Sequence, residues 1–238
     1  MRYYPINLDI QGKPCLVYGG GRVAERKVAR LLECGAEVTV VAPEVTGRLA
    51  ELAEGGRIQH VRQSFDADYI EEAFLVIGAT DDESVNAAVA EECEDWGVLC
   101  NIADDPERCT FTLPAVVARG EFCLAISTGG KSPALAKRVR LELERLYGEE
   151  YAAFVDLLGK IRDRLLAEEG LAEAERAARF ERLAGPELAR LLKAGDTAAA
   201  DAFLRQVLGP GWSLTELTGQ PQTEPEEPDD EEEEDNDD

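Results

Sequence analysis

Lysine is scarce in this chain, histidine is nearly absent, and no stretch stays apolar for long. Of 25 basic residues only six are lysines (13, 27, 131, 137, 160 and 193), set against 49 acids. The net charge of −24 excludes a nucleic-acid-binding surface, which would be basic. Twelve of the acids crowd into residues 224–238, which hold no basic residue; the rest of the chain still carries 37 acids against 25 bases. Such an acidic, lysine-poor body is a halophilic composition. Salt at 1 M shortens the Debye length to ~3 Å and makes the charge density tolerable. His60 is the only histidine, which removes the usual imidazole-based zinc or iron site, and no metal site is expected. The six cysteines (15, 34, 93, 100, 109 and 123) contain no C-x-x-C pair and read as small buried hydrophobes. No run approaches the ~18 apolar residues of a membrane span, and no basic-then-apolar leader opens the chain. The expectation is a soluble, reduced, cytoplasmic protein with no membrane or nucleic-acid partner.

What is present is organised around residues 15–43. Cys15 to Tyr18 is an apolar run too short for a helix and bounded by glycine, so it reads as a buried parallel strand. Gly19, Gly21 and Ala24 follow in the spacing G-x-G-x-x-A, and Ala24, Val28, Leu31 and Leu32 share one helical face. Glu37 to Val41 is a second β-branched strand. A glycine turn between a strand and a helix N-terminus offers bare backbone N–H groups to a pyrophosphate, and the strand–turn–helix–strand context makes the motif specific. The expected ligand is a dinucleotide. The acid that ordinarily ends the second strand and holds the ribose is displaced beyond Pro43 to Glu44. Spacing alone therefore leaves NAD and NADP both open.

Further along, 44–54 is helix-like, 58–61 alternates as a strand, 75–79 is a buried strand, 84–96 a helix and 98–102 a fifth strand. In an open parallel sheet ligands sit beyond the carboxyl ends of the strands. The Gly19 turn, Pro43-Glu44, Ala79-Thr80 and Asn101 to Asp105 should therefore line one crevice. Asp104 and Asp105 follow the fifth strand, where paired acids serve as a turn or cap, or supply a base. Beyond Pro106 the pattern changes. Residues 111–118 and 122–127 are strand-like and joined as a hairpin. A helix over 133–146 is expected to bury Leu135, Val139, Leu143 and, at its end, Leu146, and 150–208 is helical throughout. The segment 131–145 holds Lys131, Lys137, Arg138, Arg140 and Arg145 against two glutamates. Beside Ser127, Thr128 and two glycines this patch suits an anionic small molecule, and the alternative is a solvated face of i,i+4 ion pairs. Four regions result: a Rossmann-like sheet domain at 1–110, a small strand–helix dimerisation region at 111–147, an all-helical domain at 148–209, and an acidic disordered tail at 210–238.

The runs VYGGGRVAERKVARLL, VTVVAPE, VIGATDDESVN, NIADDPERCTFTLPAVVARGE and AISTGGKSPALAKRVR resemble the precorrin-2 dehydrogenase family, whose module also occurs in siroheme synthases. The resemblance covers roughly 4–146. It implies NAD-dependent oxidation of precorrin-2 to sirohydrochlorin by a homodimer, with Asp104 as the catalytic residue. Arg22 and Val23 beside the glycine turn, and Pro43 and Glu44 after the second strand, become nucleotide contacts. Some members also insert iron as a ferrochelatase. A Rossmann module that senses nucleotide and regulates a transporter is the rival class.

Overall fold

The computed structural model describes residues 2–168 and 170–219. The acidic run that begins at Glu224 lies outside the described residues. The chain divides into two compact units, Met1–Pro114 with Ser127–Pro133, and Ala115–Ile126 with the chain from Ala134 onward.

The first unit is built on five parallel strands: β1 (Pro14–Tyr18), β2 (Glu37–Val41), β3 (Gln59–Val61), β4 (Leu75–Gly78) and β5 (Leu99–Ile102), in the order β3-β2-β1-β4-β5. The order reverses beside β1, so the crevice for a ligand opens between the exits of β1 and β4. Alternate residues of each strand point to opposite faces, and both faces are covered. Cys15 and Val17 join Ala24, Val28 and Leu31 of α1 (Arg22–Glu33) and Leu49 of α2 (Gly47–Glu54) in one core. Leu16 and Tyr18 join Ile70 of the one-turn α3 (Asp68–Glu71) and Val89 and Cys93 of α4 (Glu83–Trp96) in another. This two-sided burial is why the strands read as unbroken apolar runs, and each fully buried Val, Leu or Ile contributes about 1.5–3 kcal/mol.

The second unit opens with an antiparallel hairpin of β6 (Ala115–Arg119) and β7 (Phe122–Ile126), followed by α5 (Pro133–Leu146). The helices α6 (Glu150–Ala167), α7 (Glu173–Leu183), α8 (Pro186–Lys193), α9 (Thr197–Leu208) and α10 (Leu214–Thr218) complete it. Phe154, Leu157, Ile161 and Leu165 of α6 face Leu188, Leu191, Leu204 and Trp212 in the helical core. Among the described residues no helix is long and apolar enough to cross a membrane.

Four expectations are corrected. The helix placed at 44–54 begins at Gly47, where Thr46 caps it by accepting from Leu49 N at 3.3 Å. The strand placed at 111–118 begins at Ala115. Phe111 stays with the first unit, its carbonyl accepting from Asn101 Nδ2 at 3.0 Å. On α5 only Ala136 is buried, while Leu135 and Leu146 are 51% and 67% exposed. Finally, 210–219 does not belong with the tail. Trp212 is buried in the helical core, and the Asp201 carboxylate accepts from Leu214 N at 2.7 Å.

Candidate functional site

The glycine turn packs tightly on two sides and opens on the third. Gly19 has φ +114, and a Cβ there would sit 2.4 Å from the Ala79 carbonyl oxygen. A Cβ on Gly20 would sit 1.9 Å from the Glu44 carbonyl oxygen. On Gly21 it would meet nothing within 4 Å. Gly21 is also the N-cap residue of α1, and no side chain caps that helix. Its first-turn N–H groups thus face open space at the positive end of the helix, the cradle a pyrophosphate requires. Gly20 was missed by the G-x-G-x-x-A reading, although the third consecutive glycine was its signal. Arg22 is exposed at the helix start and Val23 is half-buried against the core.

Hydrogen bonds clamp this turn to the neighbouring strand exits. Gly19 N donates to Val41 O at 3.0 Å, and Thr46 N donates to Gly20 O at 2.9 Å. The Thr46 hydroxyl donates to Glu25 Oε2 at 2.7 Å, tying the N-terminus of α2 to α1. Pro43 and Glu44 are exposed at the β2 exit beside Gly20. At the β4 exit the Thr80 hydroxyl donates to Asp82 O at 2.9 Å, and Asn86 Nδ2 of α4 donates to Thr80 O at 3.0 Å. Asn86, another residue sequence reasoning passed over, fixes that exit. His60 shares a 3.0 Å hydrogen bond with the Ala42 carbonyl and acts as an ordinary strand residue.

Asp104 follows β5 with φ +62, the only positive φ outside glycine among the described residues. Aspartate tolerates this left-handed conformation better than most residues, yet it remains uncommon and clusters at functional positions. Asp104 lines a cavity of about 230 Å³ with Asp81, Glu83, Asn86, Ile102 and Arg108. Asp105 lines the same cavity, but its carboxylate is engaged locally, accepting from Glu107 N at 3.2 Å and pairing with Arg108 at 3.2 Å as a turn residue does. A larger cavity of about 630 Å³, lined by Pro14, Glu37, Arg57 and Tyr69, lies toward the strand starts. The smaller cavity, at the carboxyl ends, is where an open parallel sheet binds ligands. The loop behind Asp104 is braced by Cys109, whose Sγ accepts from Ile102 N at 3.2 Å and donates to Asp105 O at 3.1 Å. Burial pushes its thiol up.

The five residues expected to hold substrate are divided between the units. Ser127, Thr128 and Lys131 belong to the first. There Ser127 Oγ accepts from Gly129 N and Thr128 Oγ1 from Ser132 N, each at 3.1 Å, so both hydroxyls help fold their own loop. Lys137 and Arg138 stand exposed on α5. Arg138 pairs with Glu142 at 3.0 Å, and Arg140 pairs with Glu144. For these two arginines the i,i+4 pattern accounts for the charge.

Comparison with known proteins agrees with this architecture. Residues 6–115 match a family model described as NAD(P)-binding, and residues 123–146 match one described as sirohaem biosynthesis protein central. Siroheme synthase 3 of Aeromonas hydrophila subsp. hydrophila is 40% identical over 202 residues, covering 84% of this chain and 43% of that protein. Siroheme synthase 1 of Serratia proteamaculans is 38% identical over 208 residues, covering 87% and 44%. The chain thus spans less than half the length of these curated relatives. The solved structure of SirC, precorrin-2 dehydrogenase, is 29% identical with a TM-score of 0.73, covering 86% of this chain and 98% of that one. A transporter-regulating module finds no support in these matches. The strand order, the glycine turn and both adjoining family segments agree, and the chain is similar to precorrin-2 dehydrogenase and to the siroheme synthases along most of its length.

Proposed function

We propose that this protein oxidises precorrin-2 to sirohydrochlorin with NAD as hydride acceptor. The observation that carries the proposal is the likeness to a precorrin-2 dehydrogenase along 98% of that enzyme's chain. The site supports it in chemical terms. The open face at Gly21 and the uncapped α1 N-terminus fit a pyrophosphate, with Arg22 and Val23 beside it and Pro43 and Glu44 next to the ribose. When bound there, the nicotinamide supplies the hydride-accepting chemistry. Asp104 takes the proton released as the substrate is dehydrogenated. Thr80 carries the β4 exit toward the same crevice. Ser127, Thr128, Lys131, Lys137 and Arg138 are assigned to the carboxylates of the tetrapyrrole, Arg138 after exchanging its exposed Glu142 partner, since a surface ion pair holds only ~0–1 kcal/mol.

The working form is a homodimer joined through about 111–146. Leu135, Leu141 and Leu146 are exposed along α5, and a two-stranded hairpin leaves edges that invite pairing. The test of function is anaerobic incubation of the purified protein with precorrin-2 and NAD, following NADH absorbance and the sirohydrochlorin spectrum together. Stoichiometric appearance of both is expected. Failure of NADH to form with substrate and cofactor present would overturn the proposal.

A further inference from the structure

Lys27 stands in an unusual place for a lysine in an acidic protein with ample solvent-facing surface. It lies on α1, one turn past the glycine cradle, and is half-buried. Its Nζ reaches across to Asn101 Oδ1 on β5 at 3.5 Å, the long end of a hydrogen bond. Asn101 is itself only 7% exposed, and its amide nitrogen donates to Phe111 O at 3.0 Å and lies 3.6 Å from Cys109 Sγ. Both ends of that amide are therefore engaged, which sets its orientation. Three residues later the backbone turns through the left-handed conformation of Asp104. The groups acting on Lys27 are Arg26 on its own helix and Cys109 and Asp104 from the β5 exit. Burial lowers its pKa, as does Arg26, while Cys109 and Asp104 act in the opposite sense.

A methionine or leucine would fill this position without desolvating an ammonium. The charge is retained at a spot where it touches one thing of chemical interest, the strand exit that carries the base. We propose that Lys27 is a positioning residue acting through Asp104: its ammonium, seated on the buried Asn101 amide, holds the β5 exit and the Asp104 carboxylate in the setting in which it takes the substrate proton. This rests on the assignment of Asp104 as the proton acceptor.

Two measurements on the full chain test it. The first needs no turnover. With lysine labelled at Cε, six signals are expected, one for each lysine. The Lys27 signal should titrate below the ordinary lysine range in the wild type and lower still in Asp104→Asn, where an attractive charge is gone. A Lys27 signal that ignores Asp104→Asn overturns the proposal, whether or not the protein oxidises precorrin-2. The second is a kinetic cycle. Lys27→Met should lower kcat by about tenfold with NADH affinity unchanged, and Lys27→Arg should recover most of it. In Asp104→Asn the further change Lys27→Met should cost nothing more, because a residue acting through Asp104 has nothing left to act on. Additive losses, or a fully active Lys27→Met enzyme, overturn the proposal. A wild type that forms no NADH would instead refute the dehydrogenase assignment, and the Lys27 titration would still be read.

Discussion

Alanine or valine in the glycine turn should separate folding from cofactor binding, residue by residue. Gly19→Ala carries two penalties. Its φ of +114 is a conformation that costs an L-residue roughly 1–2 kcal/mol. Its new Cβ would also lie 2.4 Å from the Ala79 carbonyl oxygen, a backbone atom that cannot rotate away. Overpacking of this kind costs about 1–3 kcal/mol, so the total is about 2–5 kcal/mol. Gly20→Ala incurs only the overlap, but at 1.9 Å from the Glu44 carbonyl oxygen it should be at the upper end of that range. In Gly21→Val the new Cβ meets nothing within 4 Å and the change falls on the N-cap residue of an uncapped helix, at a cost of about 1 kcal/mol or less. Urea unfolding followed by circular dichroism gives the stabilities, and NADH fluorescence titration gives the affinities. Gly21→Val should unfold near the wild-type midpoint while its NADH affinity falls at least about tenfold, roughly 1.4 kcal/mol. Wild-type affinity in Gly21→Val would refute the cradle and leave the turn a purely structural device. Wild-type stability in Gly19→Ala would refute the packing of the turn on the β4 exit.

Asp104→Asn preserves size and tolerates the φ of +62, so single-turnover NADH formation should fall by about 10²–10⁴ while NADH affinity holds. Asp105→Asn should slow the same step far less, since that carboxylate serves the following turn and Arg108. Thiol labelling with peptide mapping at pH 8 should modify the exposed Cys34 and Cys123 first. Cys15, pushed up to about 11 by burial, stays protonated at that pH and should react only on unfolding. Leu135→Glu with Leu146→Glu should convert a dimer to a monomer by light scattering in high salt; a monomeric wild type would refute the dimer. Raising salt should raise the urea midpoint, because 37 acids against 25 bases outside residues 224–238 repel one another until screened.

The sheet was legible because its strands are buried on both faces and flanked by glycine, so length and composition marked them without periodicity. The starts of elements were less so. At 44–47 the helix-favouring composition ran back to Glu44, but the Thr46 hydroxyl, capping Leu49 N, marks where the first turn of helix closes. Near the end of the described chain, glycines and polar residues around 209–219 imitated a linker. What outweighed them was one tryptophan: burying Trp212 against Leu204 and Ile161 draws the chain back onto the bundle.

The site was legible where chemistry is written in consecutive residues and obscure where it is written across the sheet. Gly19 and Gly21 were marked by their spacing and the Asp104-Asp105 pair by its place after a strand, while the family resemblance alone singled out Asp104 as the proposed base. Asn86 and Lys27 were not so marked: Asn86 acts on Thr80, only six residues back but across the turn into α4, and Lys27 acts on Asn101, which lies 74 residues away. No periodicity marks such a residue. On α1 Lys27 looks like one more charge on a solvated face, and only the register of β1, β4 and β5 brings the β5 amide beneath it. The same limit applies to α5. Its leucines follow a helical repeat that promises a core, yet within one chain Leu135 and Leu146 remain exposed. A hydrophobic stripe records that a face is to be covered without recording which chain covers it. In the proposed homodimer a second copy would cover that face, because the self-complementary contact of a twofold dimer buries the same leucines on both helices at once.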